Sequence, residues 1–304
     1  MASWSELSPF LSKGQTEAAQ HSHFAVPKVC VVTGGTGFVG QRLVEMLIER
    51  GAERVISFDV VPPAKERFWN HSKIEYVVGD IADKDALSKV CKGADCVWHV
   101  AAAVGPFHPK ELYHRVNYIG TLNVLEACKI NKVPKIVMSS SPSTRFTGND
   151  VDGLTESDLP TLPMTRYLQD YAETKALGEM AMTAACSDEL LTVAVAPHQV
   201  YGPRDNLFLP NVLEAAGNGM LRVFSCARTG YGLNRVCFTH VDNYCHGLIL
   251  SERALYKGSP ANGKFYIVTV RNHHLHMSQR HITAQPSMTP PAPIALRLHE
   301  SSLF

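Results

Sequence analysis

The sequence lacks several features that would set it apart from an ordinary globular protein. Its eight cysteines are scattered without a CxxC pair, and several, such as Cys30, lie inside apolar runs. We therefore expect reduced thiols, and neither a disulfide framework nor a zinc site. No stretch reaches the run of about 18 apolar residues that a membrane-spanning helix needs. The formal net charge of +1 argues against a nucleic-acid partner.

The beginning of the chain also lacks the apolar core of a signal peptide. Glu6, Lys13 and Glu17 interrupt residues 1–26, so we expect a flexible extension and a cytoplasmic protein. The composition of the whole chain, with 45% apolar and 19% charged residues, is typical of a globular protein with a sizeable core. A length of 304 residues suits one large domain with a smaller lobe, or two domains.

Strand-like and helix-like patterns alternate along the first two thirds of the chain. Strands are predicted at residues 28–33, 54–59, 74–78, 95–100, 135–138 and 191–196, and helices at 41–50, from 83, at 112–129 and around Tyr171. This order predicts an α/β doubly wound parallel sheet, the Rossmann fold, with its ligand crevice at the carboxyl ends of the strands.

The same patterns predict how the chain divides into domains. Prolines and glycines interrupt the alternation after residue 196, and the composition changes again after residue 270. The predicted parts are an N-terminal extension (1–26), a Rossmann domain (27–196) on which 236–250 packs back, a small substrate lobe (197–270) and an atypical, disordered tail (271–304).

The loop after the first predicted strand is suited to bind a pyrophosphate. It reads Gly34-Gly35-Thr36-Gly37-Phe38-Val39-Gly40 and contains both GxGxxG and GxxGxxG. Glycines permit a tight turn and a close approach of the backbone to phosphate, and the following helix offers free N–H groups. We therefore expect the cofactor-binding residues of this loop to be Gly34, Gly37, Phe38, Val39 and Gly40.

Acidic residues follow the next two predicted strands. Asp59 ends the second strand, where a carboxylate accepts hydrogen bonds from the adenosine ribose and repels a 2′-phosphate. NAD is therefore favoured as the cofactor over NADP, for which nearby Lys65 and Arg67 are the only argument. Asp80, after the third strand, is a candidate to bind the adenine amino group, with helix capping as its alternative role.

Tyr171 and Lys175 form the candidate catalytic pair. Their spacing places both side chains on one face of a helix. A tyrosine with a pKa of about 10 is a poor base, but an adjacent ammonium stabilises the phenolate and lowers that pKa. The preceding predicted strand runs into three serines, residues 139–141, whose hydroxyls can hold a substrate oxygen. Together with the glycine loop, the pair predicts hydride transfer between a dinucleotide and an alcohol.

These motifs resemble the extended short-chain dehydrogenase/reductase superfamily over about residues 26–268. Further matching segments are His99-Val100-Ala101-Ala102, residues 117–128, Tyr201-Gly202-Pro203-Arg204-Asp205 and residues 239–243. Within that superfamily the chain is most similar to the 3β-hydroxysteroid dehydrogenase family, especially the sterol 4α-carboxylate 3-dehydrogenases. Residues 140–148, 155–156 and 171–176 carry this second resemblance.

The resemblance implies a set of functional residues. The catalytic group would be Ser141, Tyr171 and Lys175, with Ser140 as the alternative serine and Asn117 supporting the lysine through water. Cofactor contacts are implied at Ile81, Ala101, Ala102, Pro197 and Val200, as well as at Tyr171 and Lys175. The family continues well past residue 268, so the resemblance also implies that the substrate lobe is incomplete, as in a truncated or differently spliced product.

The resemblance also implies a reaction and partners. The reaction is NAD-dependent oxidation of a 3β-hydroxyl on a sterol or steroid, with decarboxylation if a 4α-carboxylate is present. A homodimer through helices 112–129 and 166–185 is implied, and peripheral association with the endoplasmic reticulum membrane is an alternative to a cytoplasmic location.

Two other functions share the same motifs. The first is a sugar-nucleotide epimerase or dehydratase, or a reductase of small carbonyl compounds. A sugar nucleotide would need basic residues in the lobe, for which Arg204, Arg222, Arg228 and Arg235 are candidates, whereas Phe208, Leu209 and Leu213 favour an apolar ligand. The second is a non-catalytic dinucleotide-binding protein. His273, His274 and His276 resemble a metal-binding stretch, but we expect no metal site in this tail.

Overall fold

The computed structural model describes residues 25–65, 69–105, 108–149, 151, 153–219, 235–269 and 275–276. The predictions for residues 1–24, for Arg67, Arg222 and Arg228, and for most of the 271–304 segment lie outside these residues. Among the described helices, none combines the length and the apolar character that crossing a bilayer requires.

The strands of the described residues form one large sheet and two small ones. They are β1 (Val29–Thr33), β2 (Arg54–Asp59), β3 (Ile74–Val78), β4 (Cys96–His99), β5 (Lys135–Ser139), β6 (Leu191–Pro197), β7 (Gln199–Tyr201), β8 (Arg235–Val236), β9 (Phe238–His240), β10 (Phe265–Val268) and β11 (Leu275–His276). Seven of them make the large sheet, in the order β10-β6-β5-β4-β1-β2-β3. Every neighbouring pair in it is parallel.

The strand order confirms the predicted doubly wound sheet. The chain moves outward from β1 to β3 on one side, and then from β4 to β6 on the other. The order therefore reverses between β1 and β4, and in such sheets the ligand crevice opens at that reversal, outside the carboxyl ends of the strands. The small sheets pair β7 with β9 in parallel, and β8 with β11 antiparallel.

Helices cover both faces of the large sheet. They are α1 (Phe38–Glu49), α2 (Lys84–Cys91), α3 (Lys110–Tyr113), α4 (Gly120–Ile130), α5 (Asp170–Ala185), α6 (Leu209–Gly217) and α7 (Val241–Ala254). Leu43 of α1 and Leu248 of α7 are buried on one face, and Val124 of α4 and Met182 of α5 on the other. A π-helical segment, His114–Ile119, joins α3 to α4. The helix predicted at residues 112–129 is thus two α-helices joined by a π-helical segment, a feature that often marks a functional site.

The last strand of the large sheet differs from the sequence expectation. Residues 265–268 were placed in the substrate lobe, but as β10 they pair in parallel with β6 from Phe265 against Ala194 to Val268 against Pro197. The pairing extends the sheet and covers the edge that β6 would otherwise expose. The return of the chain through α7 makes it possible, because α7 packs against β5, β6 and β10.

Candidate active site

A cavity of about 1110 Å³ opens at the carboxyl edge of the sheet. It brings together residues from the glycine loop, from the ends of β2 to β6, and from the start of α5. The predicted site residues that line it are Gly34, Gly37, Phe38, Val39, Gly40, Asp59, Asp80, Ile81, Ala101, Ala102, Ser141, Tyr171, Lys175, Pro197 and Val200. Asn117 is the predicted residue that does not line it.

The glycine loop is shaped by close contacts between backbone segments. Gly34 has a φ of +71°, and its N–H donates to the carbonyl of Phe58 at 2.8 Å. A Cβ atom on Gly40 would lie 1.9 Å from the carbonyl oxygen of Gly34. The loop can therefore fold back over the first turn of α1 only with glycine at position 40. Gly37 precedes this turn, and no side chain of the described residues caps it.

The two acidic residues of the cavity are held differently. Asp59 accepts hydrogen bonds from the N–H groups of Thr36 at 3.1 Å and Val61 at 3.2 Å, so its carboxylate is fixed beside the glycine loop. Asp80 accepts from the N–H of Ala82 at 2.8 Å and forms an ion pair with Arg115 of the π-helical segment. It does not cap α2, since Asp83 accepts from the first N–H groups of that helix.

Ser141, Tyr171 and Lys175 meet at the wall of the cavity. Ser141 and Tyr171 both line the cavity, and their side chains interact. Lys175, which is 2% exposed, donates from Nζ to the carbonyl of Ser139 at 2.6 Å. Ser140, the alternative serine, also lines the cavity, but its hydroxyl donates to the buried Glu179 at 2.8 Å. The geometry therefore favours Ser141 over Ser140 as the serine that acts with Tyr171.

The pKa values in this group differ from the sequence expectation. Burial raises the pKa of Tyr171 above its usual value, and the hydrogen bond from Ser141 opposes that rise. Burial also lowers the pKa of Lys175 to about 8, against the influence of Glu179. The expected lowering of the tyrosine pKa by Lys175 is thus not found, because desolvation of the phenol dominates and the ammonium is directed at a backbone carbonyl.

Asn117 lies behind the cavity in the π-helical segment. Its side chain is held by the backbone of Ala103, accepting from the N–H at 2.8 Å and donating to the carbonyl at 3.2 Å. It also donates to Thr174 Oγ1 at 3.4 Å. Asn117 therefore fixes the loop after β4 against α5, and no direct hydrogen bond joins its side chain to Lys175 within the described structure.

A buried histidine connects Asn117 to the glycine loop. His99 at the end of β4 is 1% exposed, and its ring nitrogens lie 2.9 Å from Thr33 Oγ1 and 2.9 Å from Thr121 Oγ1. Thr121 in turn donates to the carbonyl of Asn117 at 2.8 Å, and Thr33 accepts from the N–H of Ala101 at 3.3 Å. Burial, with a contribution from the charge of Lys175, lowers the pKa of His99 to about 3.

Tyr244 contributes to this site, although no sequence pattern predicts it. Tyr244 of α7 lines the cavity, lies 2.8 Å from Ser139 Oγ and donates to the carbonyl of Val195 at 2.9 Å. Burial raises the pKa of its hydroxyl, which therefore stays neutral. The resemblance had drawn attention to residues 239–243, directly before it, but the contact joins residues 105 positions apart, which no local pattern indicates.

Of the lobe residues proposed from the sequence, those whose side chains are described do not line the cavity. Arg204 makes two hydrogen bonds of 2.8 Å with Glu45 of α1. The side chain of Arg235 is not among those that the structure describes. Phe208 packs against Phe238, Leu209 does not line the cavity, and Leu213 is 68% exposed. The apolar side chains that do line it include Val104, Leu112, Val116, Pro142 and Leu207. Within the described residues, no cluster of three potential metal ligands occurs.

Comparison with known families gives one match that covers most of the chain. Residues 31–298 match the 3-beta hydroxysteroid dehydrogenase/isomerase family. The matched range begins in β1 and includes every residue of the candidate active site. It also includes much of the 271–304 segment that the sequence analysis set apart.

Individual relatives agree with this match. The chain is 38% identical over 244 residues to the human protein named sterol-4-alpha-carboxylate 3-dehydrogenase, decarboxylating, covering 80% of this chain and 62% of that protein. It is 34% identical over 244 residues to 2-alkyl-3-oxoalkanoate reductase of Stenotrophomonas maltophilia, covering 79% and 69% of the two chains. The chain thus spans less than two thirds of the human relative's length.

A solved structure gives the same overall fold. The protein MoeE5, in complex with UDP-glucose and NAD, superimposes with a TM-score of 0.61 and is 25% identical in sequence. The similarity covers 79% of this chain and 76% of that one.

Proposed function

We propose that this chain, which belongs to the 3-beta hydroxysteroid dehydrogenase/isomerase family, is an NAD-dependent enzyme that oxidises the 3-hydroxyl group of a sterol or steroid. One observation carries the proposal: Ser141, Tyr171 and Lys175 line the same cavity as the glycine loop and Asp59. Hydride transfer from an alcohol needs a proton acceptor and a dinucleotide site that face one space.

The residues of the cavity fit NAD. The first turn of α1 carries no acidic side chain, and none of the described side chains caps it, so its N–H groups and positive end suit a pyrophosphate. Asp59 is fixed by two backbone N–H groups, and its carboxylate suits the adenosine ribose hydroxyls rather than a 2′-phosphate. The NAD complex of MoeE5, which has the same fold, supports this choice. When bound, NAD accepts the hydride that leaves the carbinol carbon.

The side chains of the site accept the hydroxyl proton of the substrate and hold its oxygen. Tyr171, as phenolate, accepts the hydroxyl proton of the substrate, and the Ser141 hydroxyl donates to the same oxygen and holds it in place. Lys175 is fixed to the carbonyl of Ser139, and below its pKa of about 8 it carries a positive charge near the phenolate. Because burial raises the pKa of Tyr171, the active fraction increases with pH, and oxidation should be faster under mildly alkaline conditions.

Two groups of relatives indicate which part of the substrate is recognised. The carboxylate of a sterol 4α-carboxylate is on the carbon next to the 3-hydroxyl, which makes it a 3-hydroxy acid with a branched second carbon. The name 2-alkyl-3-oxoalkanoate describes the oxidised form of the same unit. We therefore propose that the reacting unit is a 2-substituted 3-hydroxy acid. Its oxidation gives a β-keto acid, which readily loses carbon dioxide.

The wall of the cavity supports a substrate with an apolar body. Val104, Leu112 and Val116 line it on the side of α3, and Leu207 lines it on the side of the lobe. Transfer of such a body from water contributes about 25 cal/mol per Å² of buried apolar surface. A sugar nucleotide would require arginines at the cavity. Among the described lining residues Arg115 is the only arginine, and it is paired with Asp80.

A substrate screen tests this function. The purified chain would be incubated with NAD and one of three substrates: a 4α-carboxy-3β-hydroxysterol, the same sterol without the carboxyl group, or an acyclic 2-alkyl-3-hydroxy acid. NADH formation is followed by absorbance, and release of carbon dioxide is measured in parallel. The carboxysterol should be oxidised fastest, and Tyr171→Phe should lower turnover by at least about a hundredfold, because a positioned base contributes ~10²–10⁴.

Tyr256→Phe is the matched control, since Tyr256 is 57% exposed and does not line the cavity. It should keep the activity of the parent chain. Undiminished turnover by Tyr171→Phe would exclude the mechanism. Oxidation of a UDP-sugar in preference to all three substrates would exclude the substrate class.

We further propose a homodimer and a place in the cell. The first of the two helices expected to pair exposes apolar side chains, with Ile119 at 36% and Ile130, the last residue of α4, at 64% exposure. Sedimentation of the purified chain would test the dimer, and a monomer at micromolar concentration would exclude it. An apolar substrate favours a cytoplasmic protein that associates peripherally with the endoplasmic reticulum membrane, which fractionation with and without salt would test.

A further inference from the structure

The hydroxyl group of Ser141 has a second serine as its neighbour. Ser143 Oγ lies 2.8 Å from Ser141 Oγ, and the N–H of Ser143 donates to that same oxygen at 3.3 Å. The Ser141 side chain also interacts with that of Tyr171, which lines the same cavity. These three partners match the one proton and two lone pairs of the Ser141 hydroxyl.

The number of hydrogen bonds that Ser141 Oγ can make suggests a role for Ser143. The N–H of Ser143 occupies one lone pair of Ser141 Oγ. If the Ser143 hydroxyl donates to the second lone pair, Ser141 can make its remaining hydrogen bond only as a donor. We propose that Ser143 is a positioning residue, whose hydroxyl directs the proton of Ser141 toward the oxygen of Tyr171 and of the substrate alcohol. This inference rests on the proposed function and deepens it.

The surroundings of Ser143 keep it in this position. It belongs to a short 3₁₀ turn, Pro142–Arg145, which Ser141 caps. Thr144 Oγ1 donates to the carbonyl of Ser141 at 2.9 Å, and Arg145 donates to Thr144 Oγ1 at 2.9 Å. Arg145 also forms a buried ion pair with Glu179 of α5, the helix that carries Tyr171 in its first turn. The ion pair thus holds the turn against α5, and the two serines cannot separate without disturbing the hydrogen bonds of the turn.

If Ser141 only accepted a hydrogen bond from Tyr171, it would have the opposite effect on the pKa of that tyrosine. A neutral tyrosine donates its proton, so an accepting Ser141 stabilises the neutral phenol, whereas a donating Ser141 stabilises the phenolate. Without the Ser143 hydroxyl, Ser141 is free to rotate and accept. Loss of that hydroxyl should therefore raise the pKa of Tyr171 further and move the acid limb of the rate profile to higher pH.

The other groups around Tyr171 do not change in this comparison. Tyr113, the last residue of α3, is in ring contact with Tyr171 at 5.9 Å and raises its pKa, and Lys175 lies on the same helix as Tyr171. Tyr244 of α7 lines the same cavity. His99, near Lys175, is neutral at working pH. None of these groups bonds to Ser143, so a shift caused by its substitution reports on Ser141.

The test is a titration of Tyr171 that needs no substrate. Phenolate absorbance is measured against pH for the full chain and for its Tyr171→Phe version, and the difference gives the titration of Tyr171. In Ser143→Ala the pKa of Tyr171 should increase by about 0.7 of a pH unit, the equivalent of one net hydrogen bond of ~1 kcal/mol. Ser143→Thr keeps a hydroxyl and should restore the parent value. Ser157→Ala, an exposed serine of the same connection, should leave it unchanged.

Kinetics provide the second part of the test. Ser143→Ala should lower kcat about fivefold at neutral pH, recover most of it at high pH, and leave the KM for NAD as it is. In a Ser141→Ala chain, adding Ser143→Ala should change neither the titration nor kcat. An unchanged Tyr171 titration in Ser143→Ala, or a further shift in the Ser141→Ala background, would overturn the proposal. Absence of turnover with every substrate would overturn the proposed function and leave the titration result valid.

Discussion

Acid should destabilise this protein through one buried histidine. His99 is 1% exposed, lies between Thr33 and Thr121, and is neutral because burial lowers its pKa to about 3. The directions of its hydrogen bonds are fixed by its neighbours. Thr121 donates to the carbonyl of Asn117 and so accepts from His99 Nε2–H, which leaves Nδ1 to accept from the hydroxyl of Thr33. Protonation of Nδ1 would turn that acceptor into a second donor and break the link to β1.

The size of the effect follows from proton linkage. In the unfolded chain a histidine has a pKa of about 6.5, so between that pH and about 3 the unfolded state binds a proton that the folded state does not. The stabilisation is complete above pH 6.5 and is lost as the pH falls toward 3. Between pH 8 and pH 5 the loss should be about 2 kcal/mol, and by pH 3 between 4 and 5 kcal/mol.

Unfolding of His99→Gln by urea isolates this term. Glutamine keeps one donor and one acceptor but does not titrate, and it should cost about 1–3 kcal/mol at pH 8 through imperfect hydrogen bonds. The difference in the free energy of unfolding between the parent chain and the variant, followed by tryptophan fluorescence, should then shrink by about 2 kcal/mol at pH 5. His114→Gln, an exposed histidine, is the control and should show no such change. A difference between parent and His99→Gln that is equal at both pH values would refute the argument.

Two further substitutions test the glycine loop and the buried ion pairs. In Gly40→Ala the new Cβ would lie 1.9 Å from the Gly34 carbonyl oxygen, so the loop must move, and NAD affinity measured by calorimetry should fall roughly tenfold or more. Gly217→Ala, where a Cβ meets nothing within 4 Å, should bind NAD like the parent chain, and equal affinity for both variants would contradict the role of the loop. Arg204→Met leaves Glu45, which is 1% exposed, without its bidentate partner, and should cost about 3 kcal/mol in urea unfolding. A cost below about 1 kcal/mol would mean that Arg42 alone satisfies Glu45.

Local rules explain why the sequence predicts that Ser141, Tyr171 and Lys175 lie close together. Ser141 follows the end of a buried strand, and Tyr171 and Lys175 begin the next helix. In a parallel α/β sheet, strand ends and the following helix starts share one edge. The spacing of Tyr171 and Lys175 then places both on one helix face. Three residues from two segments could therefore be expected to meet without knowledge of any other contact.

Charges inside α1 show where sequence reasoning stops. The apolar positions Leu43, Val44, Leu47 and Ile48 predict one buried face, with Arg42 and Glu45 on the solvent side. In the structure Arg42 is 7% exposed and Glu45 1% exposed. The opposite face is covered by α7 and by the connection after β7, both more than 150 residues away along the chain. Whether a polar face is covered depends on segments that the periodicity of one helix does not specify.

The buried ion pairs of α1 hold both ends of the segment between β6 and α7 against the helix that follows the glycine loop. The chain leaves the sheet after β6 and returns at α7. Arg204 binds Glu45 at the start of this excursion, and Asp242 binds Arg42 Nε at 2.6 Å at its end. Glu45 and Arg42 occupy neighbouring positions of one helix and are themselves in contact at 3.3 Å.

One helix thus supports both walls of the cavity. The glycine loop opens α1, and Asp205 and Leu207, directly after Arg204, line the cavity on the lobe side. At the other end, α7 carries Tyr244 against Ser139, whose carbonyl holds Lys175. A displacement of α1 would therefore shift the glycine loop, the wall formed by Asp205 and Leu207, and the support of Lys175 together. These parts of the cavity keep their relative positions because they are anchored to the same buried charges, which is a reason for a helix of this fold to bury an arginine and a glutamate at a cost in desolvation.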